Sequence, residues 1–89
     1  MRWIVYIIES TSGKLYTGIT TDLERRLTEH ISGKKGAKFF RFSAPEKILY
    51  NENFQTRSDA SKREWEIKKM PRLKKIELIA FSKNNIEIK

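Results

Sequence analysis

Two stretches that favour extended backbone, separated by a turn, open the chain and constrain its fold more than any other feature. The first, Trp3 to Ile8, is an apolar run rich in β-branched and aromatic residues, which are enriched in strands. The second, Lys14 to Thr20, follows a segment of serine, threonine and glycine that is typical of a turn. We therefore predict a β-hairpin, in a chain of 89 residues that suffices for one domain with one core.

A first helix is predicted directly after the hairpin. Thr21 followed three positions later by Glu24 matches a capping box, and apolar residues then recur every four positions. These apolar residues are Leu23, Leu27 and Ile31. Gly33 predicts the end of the helix, because glycine commonly follows the last helical turn.

A basic loop separates this helix from a third predicted strand. The loop covers Lys34 to Ala44 and carries three phenylalanines. They are Phe39, Phe40 and Phe42. Pro45 then leads into a strand at Lys47 to Phe54.

Two further helices complete the predicted order of elements. Thr56 with Asp59 offers a capping pattern for a helix that ends near Met70. Pro71 opens a shorter helix that ends near Phe81, since proline is well tolerated at a helix start.

The predicted fold class is α+β. A small three-stranded sheet, consisting of the hairpin and a third strand, is flanked by helices in the order ββαβαα. We expect one domain at residues 1–82 and a C-terminal tail at residues 83–89. No apolar run approaches the roughly 18 to 20 residues that span a bilayer, and no signal cleavage site follows the apolar start, so we expect a cytoplasmic protein.

The residue types that are missing exclude several kinds of chemistry. The chain has no cysteine, which excludes disulfide-linked partners, thiolate nucleophiles and cysteine-ligated zinc or iron-sulfur sites. It has one histidine, His30, so a zinc site built from several imidazoles is excluded as well. Any catalytic metal is therefore expected to be a hard cation bound by oxygen, Mg2+ or Mn2+.

The basic charge of the chain indicates a polyanion as its partner. Nineteen lysines and arginines against eleven acids give a net charge of +8, and neutralisation of phosphates by such residues drives association with nucleic acid. A solvated basic surface that only keeps the protein soluble carries similar weight. The basic residues cluster at Lys34, Lys35, Lys38 and Arg41, and again from Lys62 to Lys75.

A helical projection of the first helix separates two neighbouring arginines. At about 100° per residue, Arg26 and His30 fall on one flank of the apolar stripe, whereas Arg25 points almost oppositely. We therefore expect Arg26 beside the sheet and Arg25 in solvent. The simpler interpretations are an ion pair of Arg26 with Glu29 or Glu24, and a half-buried, hydrogen-bonded imidazole.

An acid at a core-facing position marks the second predicted helix. The buried stripe of that helix consists of Ala60, Ile67 and, at its edge, Met70. Glu64 projects among them, which is costly unless its carboxylate is paired or binds a metal. Asp22 and Asp59 lie in first turns and are expected to serve as helix-start residues. The alternatives for Glu64 are a capping box with Ser61, if the helix starts later, or a pair with an arginine.

Two tripeptides in the hairpin carry a family resemblance. Val5-Tyr6-Ile7 and Tyr16-Thr17-Gly18 resemble the paired signature of the GIY-YIG nuclease family, and the likeness extends from about Trp3 to Met70. That family has an arginine ten residues after the second tyrosine, which corresponds to Arg26, and a histidine or tyrosine four further on, which corresponds to His30.

The third matching segment is Arg63-Glu64-Trp65, which is similar to the surroundings of the metal-binding glutamate of that family. The layout most resembles the small bacterial single-domain branch. A more distant likeness to the nuclease domain of the DNA-repair excinuclease implies DNA repair as a role.

The resemblance implies a metal-dependent endonuclease that hydrolyses phosphodiester bonds in DNA or RNA. Glu64 would bind one divalent cation and Arg26 would bind the scissile phosphate. Tyr6 or Tyr16 would act as the base, although sheet aromatics are the default role for both. His30 would relay the proton or orient a tyrosine.

Contacts beyond the site are expected from basic and aromatic residues. Phosphate contacts are predicted for Lys34, Lys35, Lys38, Arg41 and Arg63. Of the loop phenylalanines, at least one is expected in the core and the others against unpaired bases. Gly18 would let the backbone approach a phosphate or let the strand bend. The small size leaves no separate recognition domain, which favours recognition of nucleic-acid structure over sequence. We expect DNA rather than RNA as the partner, and the sequence leaves the oligomeric state open.

Departures from the family pattern support the first of two alternative functions. VYI and YTG replace GIY and YIG, Ile19 stands where the excinuclease domain has a lysine, and no asparagine follows Glu64 at the expected distance. The first alternative is a nucleic-acid-binding module that keeps the fold but does not hydrolyse its ligand. The second is a protein-interaction domain whose charge serves solubility.

Overall fold

The computed structural model describes residues 2–32 and 44–88 of the chain. It forms a three-stranded antiparallel sheet and three helices in the order ββαβαα, so the predicted α+β fold class is confirmed. The predictions for Lys34, Lys35, Lys38, Arg41 and the three loop phenylalanines lie outside the described residues.

The predicted hairpin forms the first two strands of the sheet. β1 spans Trp3–Ser10 and β2 spans Leu15–Thr20, and they pair antiparallel. Gly13 in the turn has a φ of 83°, a left-handed conformation that glycine adopts without steric cost. β3 spans Pro45–Phe54 and pairs with the other edge of β1, so β1 is the central strand.

Successive residues of β1 point to opposite faces of the sheet, as side chains of a strand must. Val5 and Ile7 enter an apolar core with Tyr50 of β3, and residues of the last two helices close this core. Tyr6 and Ile8 form a smaller cluster with Tyr16, against the first helix. The sheet therefore has one apolar face and one face that mixes aromatic and polar groups.

The first helix, α1, spans Leu23–Ser32. Its cap differs from the predicted Thr21 and Glu24 box, because Asp22 Oδ1 accepts a hydrogen bond of 3.0 Å from the backbone N–H of Arg25. Asp22 is thus a helix-start residue, as predicted. It caps α1 one position later than the Thr21 capping box would have done.

The prediction that Ile31 belongs to the buried stripe of α1 is wrong, since the residue is 66% exposed. Spacing by four residues gains about 40° on each step of a 3.6-residue helix. Ile31 has therefore rotated off the sheet, and His30 lies on the buried side in its place.

The second helix, α2, spans Arg57–Lys69 and starts where the sequence predicts. The Thr56 side chain accepts a hydrogen bond from the backbone N–H of Asp59. Ala60 and Ile67 are fully buried in the apolar core, and Met70 packs against it. The predicted buried stripe of α2 is confirmed.

The third helix, α3, is longer than predicted. It spans Arg72–Ile88 and continues past Phe81 into the segment predicted as a tail, because no glycine or proline follows Pro71 to end it. Arg72 Nη2 donates a hydrogen bond of 2.9 Å to the Gly13 carbonyl oxygen, which joins α3 to the hairpin turn. Within the described ranges, no helix is both long and apolar enough to cross a bilayer.

Candidate active site

A hydrogen bond between the central strand and the first helix defines the candidate site. Tyr6 Oη lies 3.1 Å from His30 Nε2, and both residues are buried. The Tyr16 ring approaches the same imidazole edge to face, with 5.4 Å between ring centroids and 74° between ring planes. The two signature tyrosines and the histidine therefore form one aromatic cluster on the polar face of the sheet.

The environment of Tyr6 keeps its phenol protonated. Burial raises the pKa of Tyr6 to about 12, and the nearby Tyr16 and Glu64 act in the same direction. Arg26 opposes them through a hydrogen bond and its positive charge. Since a guanidinium can only donate, Tyr6 accepts from Arg26 and its own hydroxyl proton is available to His30 Nε2.

The imidazole of His30 is held neutral in the same cluster. Burial lowers the pKa of His30 to about 4, and the charge of Arg26 lowers it further, against a smaller opposite effect of Glu29. At neutral pH, Nε2 can then accept the Tyr6 proton while Nδ1 carries the ring hydrogen. Both partners are thus uncharged in the resting protein.

Gly18 makes room for the Tyr6 ring. The two residues are directly opposite each other in the β1 and β2 pairing. A Cβ atom at position 18 would lie 2.6 Å from Tyr6 Oη, 2.8 Å from Tyr6 Cζ and 3.2 Å from Tyr16 Cε2. The glycine therefore has a role that the sequence did not suggest, which is to let the Tyr6 phenol cross β2 and reach His30.

Arg26 lies beside the sheet and Arg25 faces solvent, as the helical projection predicted. Arg26 Nη1 is 2.9 Å from Glu29 Oε1, so the predicted ion pair with Glu29 exists as well. Burial acts to lower the pKa of Arg26, but hydrogen bonds to Glu29 and Tyr6 outweigh it and the net shift is upward. The arginine is therefore a permanent cation positioned between an acid and the tyrosine.

Glu64 approaches this cluster from α2. Its carboxylate is close enough to Tyr6 to raise the pKa of that phenol, and its side chain is 22% exposed. The alternative capping box with Ser61 is excluded, because α2 begins four residues before Ser61. Among the described residues, Glu64 pairs with Lys68, with 3.1 Å between Oε2 and Nζ, rather than with an arginine.

The residues around Glu64 fit a single hard cation better than a protein cage for a metal. No group of three or more histidine or acidic side chains that could hold a metal ion occurs among residues 2–32 and 44–82. Mg2+ commonly takes one or two carboxylates and fills its other positions with water and substrate phosphate. Lys68 is half exposed, and an exposed ion pair of this kind contributes about 0–1 kcal/mol, so it can yield Glu64 to a cation.

Arg63, predicted to contact phosphate, is engaged elsewhere. Its Nε lies 3.0 Å from Glu52 Oε1 and its Nη1 lies 3.3 Å from Glu66 Oε1. Tyr50 donates a hydrogen bond of 2.6 Å to the same Glu52 oxygen. This network ties α2 to β3, and the role of Arg63 in binding nucleic acid stays a prediction.

Two features of the site were missed from the sequence. Lys68 could have been found as the partner of Glu64, since a lysine four residues after a glutamate on a helix commonly pairs with it. The contact of Gly18 with Tyr6 depends on strand register, which no single strand reveals.

Comparison with known proteins supports the family resemblance found in the sequence. The sequence matches the family profile described as the GIY-YIG catalytic domain over residues 2–77. The chain belongs to the GIY-YIG family. This match confirms the family resemblance of the two tripeptides. GIY-YIG proteins form a superfamily of nucleases, so the fold is of the nuclease type.

Relatives of similar size share most of the chain. A UPF0213 protein of Desulfotalea psychrophila is 46% identical over 80 residues, which cover 90% of this chain and 73% of that protein. A UPF0213 protein of Haloquadratum walsbyi is 50% identical over 74 residues, covering 83% and 82%. The solution NMR structure of a UPF0213 protein of Bacillus halodurans is 40% identical, with a TM-score of 0.59 over 91% of this chain and 85% of that one. The resemblance to a small single-domain branch is therefore confirmed.

Proposed function

We propose that this protein is a metal-dependent endonuclease that hydrolyses phosphodiester bonds in nucleic acid. The observation that carries the proposal is the convergence of Tyr6, His30, Arg26 and Glu64. Tyr6 lies on β1, Arg26 and His30 on α1, and Glu64 on α2. His30 hydrogen-bonds to Tyr6, and the charges of Arg26 and Glu64 both affect the pKa of the Tyr6 phenol. Family membership supports the same reaction class.

Arg26 is the proposed phosphate-binding group. A guanidinium donates several hydrogen bonds in a fixed fork, which fits the oxygens of a phosphate and offsets the charge that builds up in the transition state. In the resting protein Arg26 pairs with Glu29. That contact holds the guanidinium beside Tyr6 until a phosphate competes for it.

Tyr6 and His30 together are the proposed proton acceptor. A phenol with a pKa of about 12 is a poor base by itself. It can accept a proton from the attacking water as its own proton passes to His30 Nε2, 3.1 Å away. A bound phosphate would offset the positive charge of Arg26, which now lowers the pKa of His30, and would make the imidazole a better acceptor.

Glu64 is the proposed ligand of one divalent cation, Mg2+ or Mn2+. When bound, such a cation supplies Lewis acidity that stabilises the leaving oxygen. The carboxylate is suitable because it is partly shielded and its resting partner, Lys68, is exposed and exchangeable.

We further propose that the enzyme selects substrates by structure, with DNA favoured over RNA. Since its substrate is nucleic acid, we expect it to act in the cytoplasm, with a role in DNA repair. We also expect residues 1–82 to act as one catalytic domain, with residues 83–89 outside it.

The decisive experiment compares cleavage by matched variants. Labelled single-stranded, duplex and branched DNA and RNA are incubated with Mg2+, Mn2+ or a chelator. Glu64→Gln and Arg26→Lys are expected to cut about 100- to 1000-fold more slowly, as for the loss of one preorganised charge-stabilising group. Glu77→Gln and Arg25→Lys alter an exposed acid of α3 and the arginine next to Arg26, and they should leave the rate unchanged.

Two results would overturn this function. Cleavage that persists in both Glu64→Gln and Arg26→Lys would remove the site from the reaction. Salt-sensitive binding of every substrate without any metal-dependent cleavage would instead identify a binding module of the same fold.

A further inference from the structure

An exposed tryptophan lies next to the proposed metal ligand in sequence. Trp65 is 62% exposed, although large aromatic side chains are normally buried. The other tryptophan, Trp3, is half-buried, packs against the apolar core and lies 5.6 Å from the Arg57 guanidinium. Trp65 therefore presents most of its aromatic surface to solvent.

Cations and hydroxyls surround this ring. Lys69 Nζ lies 4.0 Å from the Trp65 ring centroid, one turn further along α2. A shallow groove of about 500 Å³ opens beside the ring, and its lining residues are Ser58, Ser61, Lys62, Trp65 and Glu66. The acid among these lining residues, Glu66, is paired with Arg63 at 3.3 Å. The groove thus combines a π surface with positive charge and hydrogen-bonding groups.

Neither Glu64 nor Lys68 lines this groove, but Lys68 lies next to it on the surface of α2. On the helical projection of α2, Lys68 lies between Glu64 and Trp65, and it contacts Glu64 at 3.1 Å. A chain of phosphates bound at Arg26 and Glu64 would meet Lys68 and Lys69 as it passed over α2. Its bases would then come within reach of Trp65.

We propose that this groove, which we name the Trp65 groove, binds an unpaired base of a nucleic-acid strand by stacking on the indole. A nucleic acid supplies both negative charge for the lysines and flat π faces for the ring. The inference rests on the proposed function, because a nucleic acid bound at the active site is what would bring its phosphate chain over α2. It assigns the substrate class as nucleic acid with a single-stranded segment beside the scissile phosphate.

The test measures binding in the presence of a chelator, so that it does not depend on cleavage. The Trp3→Phe variant leaves Trp65 as the single tryptophan, and its emission is followed during titration with a short DNA single strand and with the matching blunt duplex. We expect the single strand to quench Trp65. We also expect Trp65→Ala to weaken single-strand binding about tenfold while duplex binding stays within about twofold.

The Trp65→Phe variant tests stacking against general packing. It should retain most of the single-strand affinity, because phenylalanine still offers a ring to a base. Thermal unfolding of Trp65→Ala should match that of the unmodified protein, since the side chain is exposed. Unchanged single-strand affinity in Trp65→Ala, or unquenched emission at saturation, would overturn the proposal.

Other outcomes separate this inference from its rivals. Self-association that Trp65→Ala abolishes, with no change in DNA affinity, would overturn it in favour of a protein interface. If Glu64→Gln keeps cleaving but Trp65→Ala loses single-strand binding, the proposed metal site fails and the Trp65 groove stands. If Glu64→Gln stops cleavage while Trp65→Ala binds the single strand normally, the proposed metal site stands and the Trp65 groove fails.

Discussion

The two faces of the sheet are built from alternate residues of the same strand, yet they follow different rules. On one face, Val5 and Ile7 pack with Ile67 into a core whose buried cluster is aliphatic except for Tyr50. On the other, Tyr6 forms a buried hydrogen bond with His30 beside a cation. Burial of apolar surface drives folding on the first face, whereas polar groups on the second add desolvation cost. The second face is therefore where function is expected to reside.

The largest expected effect tests the apolar face. Ile67→Ala should lower the free energy of unfolding by about 2–5 kcal/mol, because it removes fully buried methyl groups and leaves a cavity. Ile31→Ala, at a 66% exposed position, should change it by less than about 0.5 kcal/mol. Denaturant titration measures both. Equal effects of the two variants would contradict the assignment of the core to this face.

A pH-dependent effect tests the polar face. The pKa of His30 is about 4 in the folded protein and about 6.5 when unfolded, so the unfolded state takes up a proton first as the pH falls. Folding stability due to neutral His30 is complete above pH 6.5 and is lost between about pH 6.5 and pH 4. The full loss is roughly 3 kcal/mol at the conversion of 1.36 kcal/mol per pKa unit.

The matching control for this effect is His30→Gln, which cannot titrate. Other acids also become protonated near pH 4, and they do so in both proteins. The difference in unfolding free energy between the two proteins should therefore shrink as the pH falls from 7 to 4. A constant difference across that range would show that His30 is not held neutral by folding.

A third prediction concerns the fit between the two strands of the hairpin. Gly18→Ala should destabilise the protein by about 1–3 kcal/mol, because the new methyl group would meet the Tyr6 phenol at 2.6 Å. In a Tyr6→Ala background most of this cost should disappear, and a double-mutant cycle of unfolding measurements gives the difference. Additive effects would mean that the glycine acts through something other than Tyr6.

The smallest expected effect concerns a polar atom on the apolar face. Thr17 is opposite Ile7 in the sheet, and its Oγ1 is buried without a hydrogen-bond partner among the described residues. Thr17→Val keeps the shape and replaces the hydroxyl with a methyl group, so it should stabilise the protein by about 1 kcal/mol. Thr28→Val, at an exposed position of α1, provides the control. A destabilised Thr17→Val would reveal a partner for that hydroxyl.

The apolar face could be predicted from the sequence with good accuracy, because it depends on local periodicity. The strands, the start of α2 and the burial of Ala60 and Ile67 all followed from spacing and capping residues. The errors have local causes as well. Ile31 lies at the end of a four-residue repeat that drifts off the sheet, and α3 continues because no residue in its sequence ends it.

The polar face could be predicted only in part. Helical projection predicted Arg26 beside the sheet, and the buried stripe of α2 predicted a core-facing Glu64, because each of these predictions needs only the periodicity of one helix. The pairing of Tyr6 with His30 joins residues 24 positions apart, and Gly18 matters only through its register opposite Tyr6. Such contacts between elements are set by the tertiary fold, so spacing alone could not show which tyrosine hydrogen-bonds to His30.

The alternation along β1 also determines which changes of length the hairpin can tolerate. Inserting or deleting one residue before Tyr6 would turn every following side chain to the opposite side. The phenol of Tyr6 would then point into the hydrophobic core, and an aliphatic side chain would take its place against α1. Substitutions can therefore adjust this hairpin residue by residue, whereas an insertion or deletion of one residue in β1 would exchange its two faces.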